Sequence, residues 1–124
     1  MANLNMGNVK YALTDENIDA KVKNDAIGNY GLGYIKDGKF CVAYVGRSDT
    51  DLNRRLHDHV EENAKYKYFK FSYARTPKEA YEKECINFHD FGGTKSLENE
   101  RHPDRPEGKG DYKCPVCGRE YILQ

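Results

Sequence analysis

Asp37-Gly38 stands between two runs of aromatic and β-branched residues, 30–35 and 40–45. A two-residue Asp-Gly connection supplies the positive φ angles of a tight hairpin turn, and the turn's twist matches that of the strands it joins. The middle of the chain is thereby committed to an antiparallel β-hairpin, and an all-helical fold is excluded. Gly31 and Gly33 on the first strand cost stability unless another part of the chain approaches the backbone closely. The rest of the 124 residues must cover this hairpin with little apolar material: 38% of residues are hydrophobic, 32% are charged, and ten are Tyr. A chain of this length forms one domain, and so thin a core invites a structural metal as reinforcement.

Around the hairpin the expected elements are short. Residues 1–12 carry no pattern and are expected to fray. Thr14 caps a helix, with Asp15 and Glu16 in its first turn, that runs to about Ala26 and stops at Gly28. Residues 48–51, Ser-Asp-Thr-Asp, offer caps for a helix over 52–63 with Leu52, Leu56 and Val60 as its buried stripe. A third strand is expected over 67–74. Thr76-Pro77 with Glu79 then starts a helix that reaches about Phe91, ahead of Gly92-Gly93. The order β-β-α-β-α predicts an α+β fold: a three-stranded antiparallel sheet flanked by helices. Its expected parts are an N-terminal helical extension (1–28), a core (29–103) and a C-terminal CxxC segment packed on the core (104–124).

Formal net charge is zero, so long-range steering towards a polyanion is not indicated. Locally, Lys65, Lys67, Lys70 and Arg75 interleave with five aromatic residues and no acid. Such a strand can lie along a phosphate backbone, although an ordinary strand with one wet, charged face has the same pattern. No apolar stretch is long enough for a membrane span, and the first residues lack the apolar centre of a signal peptide. With four Cys and no secretory signal, the expected compartment is the cytoplasm, where a CxxC binds metal or does redox work more often than it forms a structural disulfide.

Several side chains carry chemistry. Arg55 and His59, four apart, share a helix face beside the Leu52/Leu56/Val60 stripe. A guanidinium there can grip a phosphate and an imidazole can move a proton. Glu84 falls on the apolar stripe of the last helix with Ala80 and Phe88, where a carboxylate must be paired, protonated or metal-bound. One Mg²⁺, which keeps most of its waters, is a fitting partner; an ion pair with Arg55 or Lys70 is the alternative. Glu79 and Lys83 read as an exposed i,i+4 pair. Tyr34 and Tyr44 lie on the two paired strands.

Taken in order, these residues resemble the GIY-YIG nuclease superfamily over residues 29–103. Tyr44-Val45-Gly46 matches the second tripeptide, and Leu32-Gly33-Tyr34, a degenerate form with only its Tyr preserved, stands for the first. Leu52-x-x-Arg55 with His59 is similar to the family's Arg helix, Glu84 to its metal-binding Glu, and Asn99 to the Asn that closes the set. The resemblance implies a one-metal (Mg²⁺ or Mn²⁺) hydrolysis of phosphodiesters. Glu84 would hold the ion, Tyr34 would orient or deprotonate the attacking water with help from Tyr44 or His59, Arg55 would stabilise the transition state, and Asn99 would hold the site together. DNA is the expected nucleic acid, although the sequence does not separate it from RNA. Arg47, Arg54, Lys67 and Lys70 are the basic residues expected to line it, and a protein partner is a source of specificity. A non-catalytic nucleic-acid-binding or zinc-stapled interaction module on the same scaffold is the alternative.

Cys85 and His89, i and i+4 on the last helix, together with Cys114-Pro-Val-Cys117, predict a Cys₃His structural zinc site. His102 is the rival to His89 as the fourth ligand. Cys41, mid-strand, reads as core. Zinc in this position would pin the segment carrying Asn99 against the last helix.

Overall fold

A four-stranded antiparallel sheet runs through the middle of the chain, and its strand order differs from the sequence order. In the computed structural model, which describes residues 3–62, 65–104 and 112–118, the elements are β1 (Tyr11–Ala12), α1 (Asp15–Lys21), β2 (Gly28–Lys36), β3 (Lys39–Ser48), α2 (Leu52–Glu61), β4 (Tyr68–Tyr73) and α3 (Pro77–Asp90), with a short 3₁₀ turn at Gly93–Lys95. The spatial order is β1-β4-β2-β3. The α+β class is as expected, but the sheet has four strands rather than three.

The β2–β3 hairpin forms where the turn chemistry puts it. Asp37 and Gly38 both take positive φ, 52° and 76°, as a two-residue loop of this kind requires. The ladder slips once. Leu32 faces Tyr44 but Gly33 faces Val42, so Ala43 is an extra residue on β3, a β-bulge that bends the strand and re-aims the side chains beyond it.

Two layers cover the sheet. On one face Ile18 and Val22, at the end of α1, and Leu52 and Leu56 of α2 bury against Tyr30, Leu32 and Phe69. On the other, Phe88 of α3, Leu97, and Leu4 and Met6 from the N-terminal segment pack on Val45. That segment was expected to fray. Instead Leu4 lies directly over Gly31, where an added Cβ would come within 2.6 Å of its Cδ1; this is the close approach that the strand glycine called for. Two lysines tie the segment down. Lys83 donates to the Asn5 carbonyl at 3.0 Å and to Ser72 Oγ at 2.7 Å, and Lys70 donates to the Gly7 carbonyl at 3.1 Å. Lys83 is therefore no partner of Glu79, which pairs with Arg75.

Caps fix the helix starts as expected: Thr14, Asp51 and Thr76 each accept from a backbone N–H of the first turn. The end of α1 differs. It stops at Lys21, not near Ala26, because Asn53 of α2 donates to the Val22 carbonyl at 2.9 Å and to that of Ile18 at 3.5 Å. Val22 itself has turned to extended backbone and entered the core. Satisfying the last carbonyls from outside ends a helix as well as a glycine would.

Candidate active site and metal centre

β3 is an outer strand, so its far edge presents unpaired backbone groups. Residues 98–99 cover that edge. The Glu98 N–H donates to the Ala43 carbonyl at 2.6 Å. The Asn99 side chain then bonds Val45 twice: Nδ2 donates to its carbonyl at 2.8 Å and Oδ1 accepts from its N–H at 3.0 Å. The buried amide imitates a neighbouring strand for one residue pair and seals the edge. Between this strap and the sheet lies a polar cleft of about 560 Å³.

Tyr30, Tyr44, Arg55, Glu84 and Asn99 all line the cleft. His59 stands directly behind: its Nε2 is 2.7 Å from the Tyr30 hydroxyl, and its ring meets both tyrosines edge-on, with centroids 5.2 and 5.4 Å away. Tyr30 and Tyr44 stack at 6.4 Å. Gly46 is required beneath them, because a Cβ there would fall 2.4 Å from both Cζ and Oη of Tyr30.

Tyr34 does not join this group. Tyr30, Leu32 and Tyr34 share one face of β2 by the period-two rule, but Tyr34 pairs with Cys41 near the hairpin tip and is 47% exposed, whereas Tyr30 is 1% exposed. Four residues along a strand is roughly 13 Å, so Tyr34 is on the correct face and at the wrong end. The pattern that marks Tyr30 is Gly28-x-Tyr30 set against Tyr44-x-Gly46, a near mirror image. Its first glycine is also sterically required, since a Cβ on Gly28 would lie 2.4 Å from the Ser72 carbonyl oxygen.

Electrostatics follow from burial. Both phenols are pushed up by desolvation, against the opposing pull of the Arg55 guanidinium, so they stay protonated at neutral pH. Burial, with Arg55 nearby, pushes His59 down to about 4, so its imidazole is neutral. Burial pushes Glu84 up to about 7, although Arg47 pulls the other way. The ion partner of Glu84 is Arg47, at 2.5 Å, not Arg55 or Lys70. Arg47 is also held by Asp49 at 2.8 Å and lies over the Tyr81 ring at 5.3 Å. It is thus a wall of the cleft rather than part of an outer basic surface. Lys70, spent on the Gly7 carbonyl and set over the Phe40 ring, is equally unlike the expected phosphate contact. Arg54 and Lys67 are exposed, and neither lines the cleft.

The Cys/His group differs by one member from expectation. His89, His102, Cys114 and Cys117 bring their ligand atoms within 4.8 Å of one another, a set that can hold a metal ion. The Nε2 atoms of His89 and His102 are 3.1 Å apart, and Cys117 Sγ is 3.7 Å from the latter. Tetrahedral zinc, with bonds of about 2.0–2.3 Å, sets its ligands about 3.3–3.8 Å apart. His102 Nδ1 donates to the Pro103 carbonyl at 2.9 Å, which leaves Nε2 for an ion. Cys85, buried, belongs instead to a small apolar cluster with Tyr81 and Cys114. His102, three residues beyond Asn99, completes the group beside His89 and Cys117. Cys41 is half-buried rather than core. Among the described residues no helix is long and apolar enough to cross a membrane.

No protein-family model matches this chain, and no curated protein and no solved structure matches it.

Proposed function

We propose that this chain is a divalent-metal-dependent nuclease of the GIY-YIG type that hydrolyses phosphodiester bonds in nucleic acid, DNA in the first instance. The observation that carries the reading is the convergence of Tyr30, Tyr44, Arg55, Glu84 and Asn99 on one cleft, with His59 bonded behind Tyr30. Gly28-Asn29-Tyr30 and Tyr44-Val45-Gly46 then stand as the two tripeptides that the resemblance calls for.

The donor set suits Mg²⁺ or Mn²⁺. Glu84 is a buried carboxylate on the wall of a polar cleft, and the charges of Asp49 and Asp104 reach it; hard oxygen ligands with room for water are what such an ion takes. When bound, it supplies Lewis-acid polarisation of the phosphoryl group and the leaving oxygen. The protein's own residues supply the rest. Arg55, 37% exposed on its side chain, grips the phosphate and stabilises the charge growing on its oxygens. The Tyr30 hydroxyl donates to neutral His59 Nε2, so its lone pairs accept from the attacking water, and the water's proton has a route through Tyr30 Oη to His59. That route requires His59 to carry its own proton on Nδ1. Tyr44 packs the relay, and Asn99 keeps the β3 edge and the cleft wall in register.

One observation favours the rival reading, a non-catalytic binding module: Arg47 already neutralises Glu84. The two are separated by incubating the protein with supercoiled plasmid and with single-stranded and branched oligonucleotides, with and without Mg²⁺ or Mn²⁺. Metal-dependent cleavage that falls about 10²–10³-fold in Glu84→Gln, with binding retained, is the expected result. No cleavage of any substrate by the wild type would sink the enzyme.

The second metal in this reading is a structural zinc on His89, His102, Cys114 and Cys117. Its support is the clustering of the four ligand atoms, and elemental analysis of purified protein is the check: under about half an equivalent of zinc contradicts it. Free thiols throughout accord with a reducing cytoplasm, and specificity that the small cleft does not supply would come from a partner protein.

A further inference from the structure

The charges around the cleft are arranged unlike those of a protein that tracks a duplex. Five carboxylates and three guanidiniums line it. Arg47 is held by Asp49 and Glu84, and Arg101 by Asp104 at 3.1 Å. Arg55 has no close carboxylate, lying 3.9 and 3.7 Å from the exposed acids of Asp58 and Glu62, and otherwise borders the neutral Tyr30 and Tyr44. Among the described residues no lysine lines the cleft; Lys65 pairs with Glu98 of its wall at 2.6 Å, and Lys70 and Lys83 are spent on carbonyls of the N-terminal segment. B-DNA carries about one charge per 1.7 Å of axis, and its binders commonly neutralise about 6–10 phosphates. Among the described residues the cleft offers one loosely held guanidinium. Its volume, about 560 Å³, is that of a site for a small ligand. Beside it Tyr44 lies near the half-buried Tyr66, with ring centroids 6.2 Å apart, an aromatic surface on which an unstacked base can rest.

We propose that the cleft takes a short single-stranded stretch or strand terminus, a few nucleotides around one scissile phosphate, and does not track a duplex. The inference rests on the nuclease reading and narrows its substrate class.

The test is fluorescence anisotropy of the full-length protein with labelled DNA and RNA hexanucleotides and with a 20-base-pair duplex, in Ca²⁺ to prevent turnover, across 50–200 mM salt. Each single-strand phosphate neutralised contributes about −0.7 to the slope of log K against log salt. A slope shallower than about −3, with the duplex bound no more tightly than the hexamer, is expected. Tyr66→Ala should then weaken hexamer binding roughly 5- to 150-fold, as loss of one stacking platform does. A slope of about −3 or steeper, or a duplex bound about tenfold more tightly, overturns the inference. In that case metal-dependent cleavage of plasmid would leave the nuclease reading standing. Absence of binding by every oligonucleotide, with no cleavage, would remove both.

Discussion

The two walls of the cleft are built in different ways. One is made of β2, β3 and α2. Its Tyr30, Tyr44 and His59 grow out of the main apolar core, and Tyr30 is wedged over Gly46 with its hydroxyl tied to His59. The other is the strap of residues 97–104. Among its contacts are the buried Leu97, a backbone hydrogen bond and an ion pair with Lys65 from Glu98, the two bonds of Asn99, and His102 in the Cys/His group. The first wall inherits the rigidity of the whole sheet. The second depends on a handful of contacts, among them the packing of His102 against Phe88 and His89. Positioning of about half an ångström is cheap on strands and helices and costly on a loop, and the strap reaches it by borrowing a strand edge at one end and a Cys/His group able to hold a metal at the other.

The sheet-built wall is tested most severely at Tyr30. Tyr30→Phe should lower the cleavage rate by about 10²–10⁴-fold, the usual worth of a positioned acid–base group, while Tyr34→Phe should leave the rate within about twofold; single-turnover kinetics on one oligonucleotide decide it. Equal losses in the two variants would move the proton relay to the hairpin tip.

The strap is tested at its Cys/His end. His102→Ala should lower metal affinity by about 10–100-fold or more and speed amide exchange at Val45, whose N–H is held by Asn99, while the Leu32 amide in the sheet centre keeps its protection. Exchange measured by NMR with and without a chelator reads both walls at once. If the two amides respond together, the walls are not independent units.

A smaller effect is expected at Gly46. The Cβ of Gly46→Ala meets the Tyr30 ring, an overpacking that costs about 1–3 kcal/mol in urea unfolding, and it should slow cleavage by tilting Tyr30.

The first wall also carries a pH dependence. Burial holds His59 near 4 in the folded chain, below its ordinary value of about 6.5. Between these values the unfolded chain binds the extra proton, so this contribution to stability is present above about pH 6.5 and is lost as pH falls towards 4. Urea midpoints measured across that window should fall less steeply for His59→Asn than for the wild type.

Much of the first wall was legible in the sequence. The Asp-Gly turn fixed the hairpin, and Thr14, Asp51 and Thr76 marked helix starts because capping chemistry is local. Helical spacing marked Arg55 and Glu84 as candidates, the resemblance joined them into one set, and both line the cleft. The remainder depends on contacts far apart in the chain. Tyr34 and Tyr30 share a face of β2, so alternation does not choose between them; the choice is made by the ring packed over Gly46. Residues 3–12 have no strong local preference and become ordered through Leu4 on Gly31 and two lysines from elsewhere. The substitution of His102 for Cys85 follows from where the strap travels. The i,i+4 spacing of Cys85 and His89 on α3 says nothing of that path.

The amide of Asn99 occupies the place that a fifth strand would take beside Val45. Lifting the strap therefore does more than open the cleft. It exposes the outer rim of β3 in its bulged middle, where Ala43 and Val45 present a carbonyl and a backbone N–H and carbonyl with no neighbour. An uncovered rim of this kind pairs with the same rim of a second molecule. The residue that closes the cleft wall thus also covers an edge open to aggregation, and opening the strap would leave a chain able to self-associate through its own sheet.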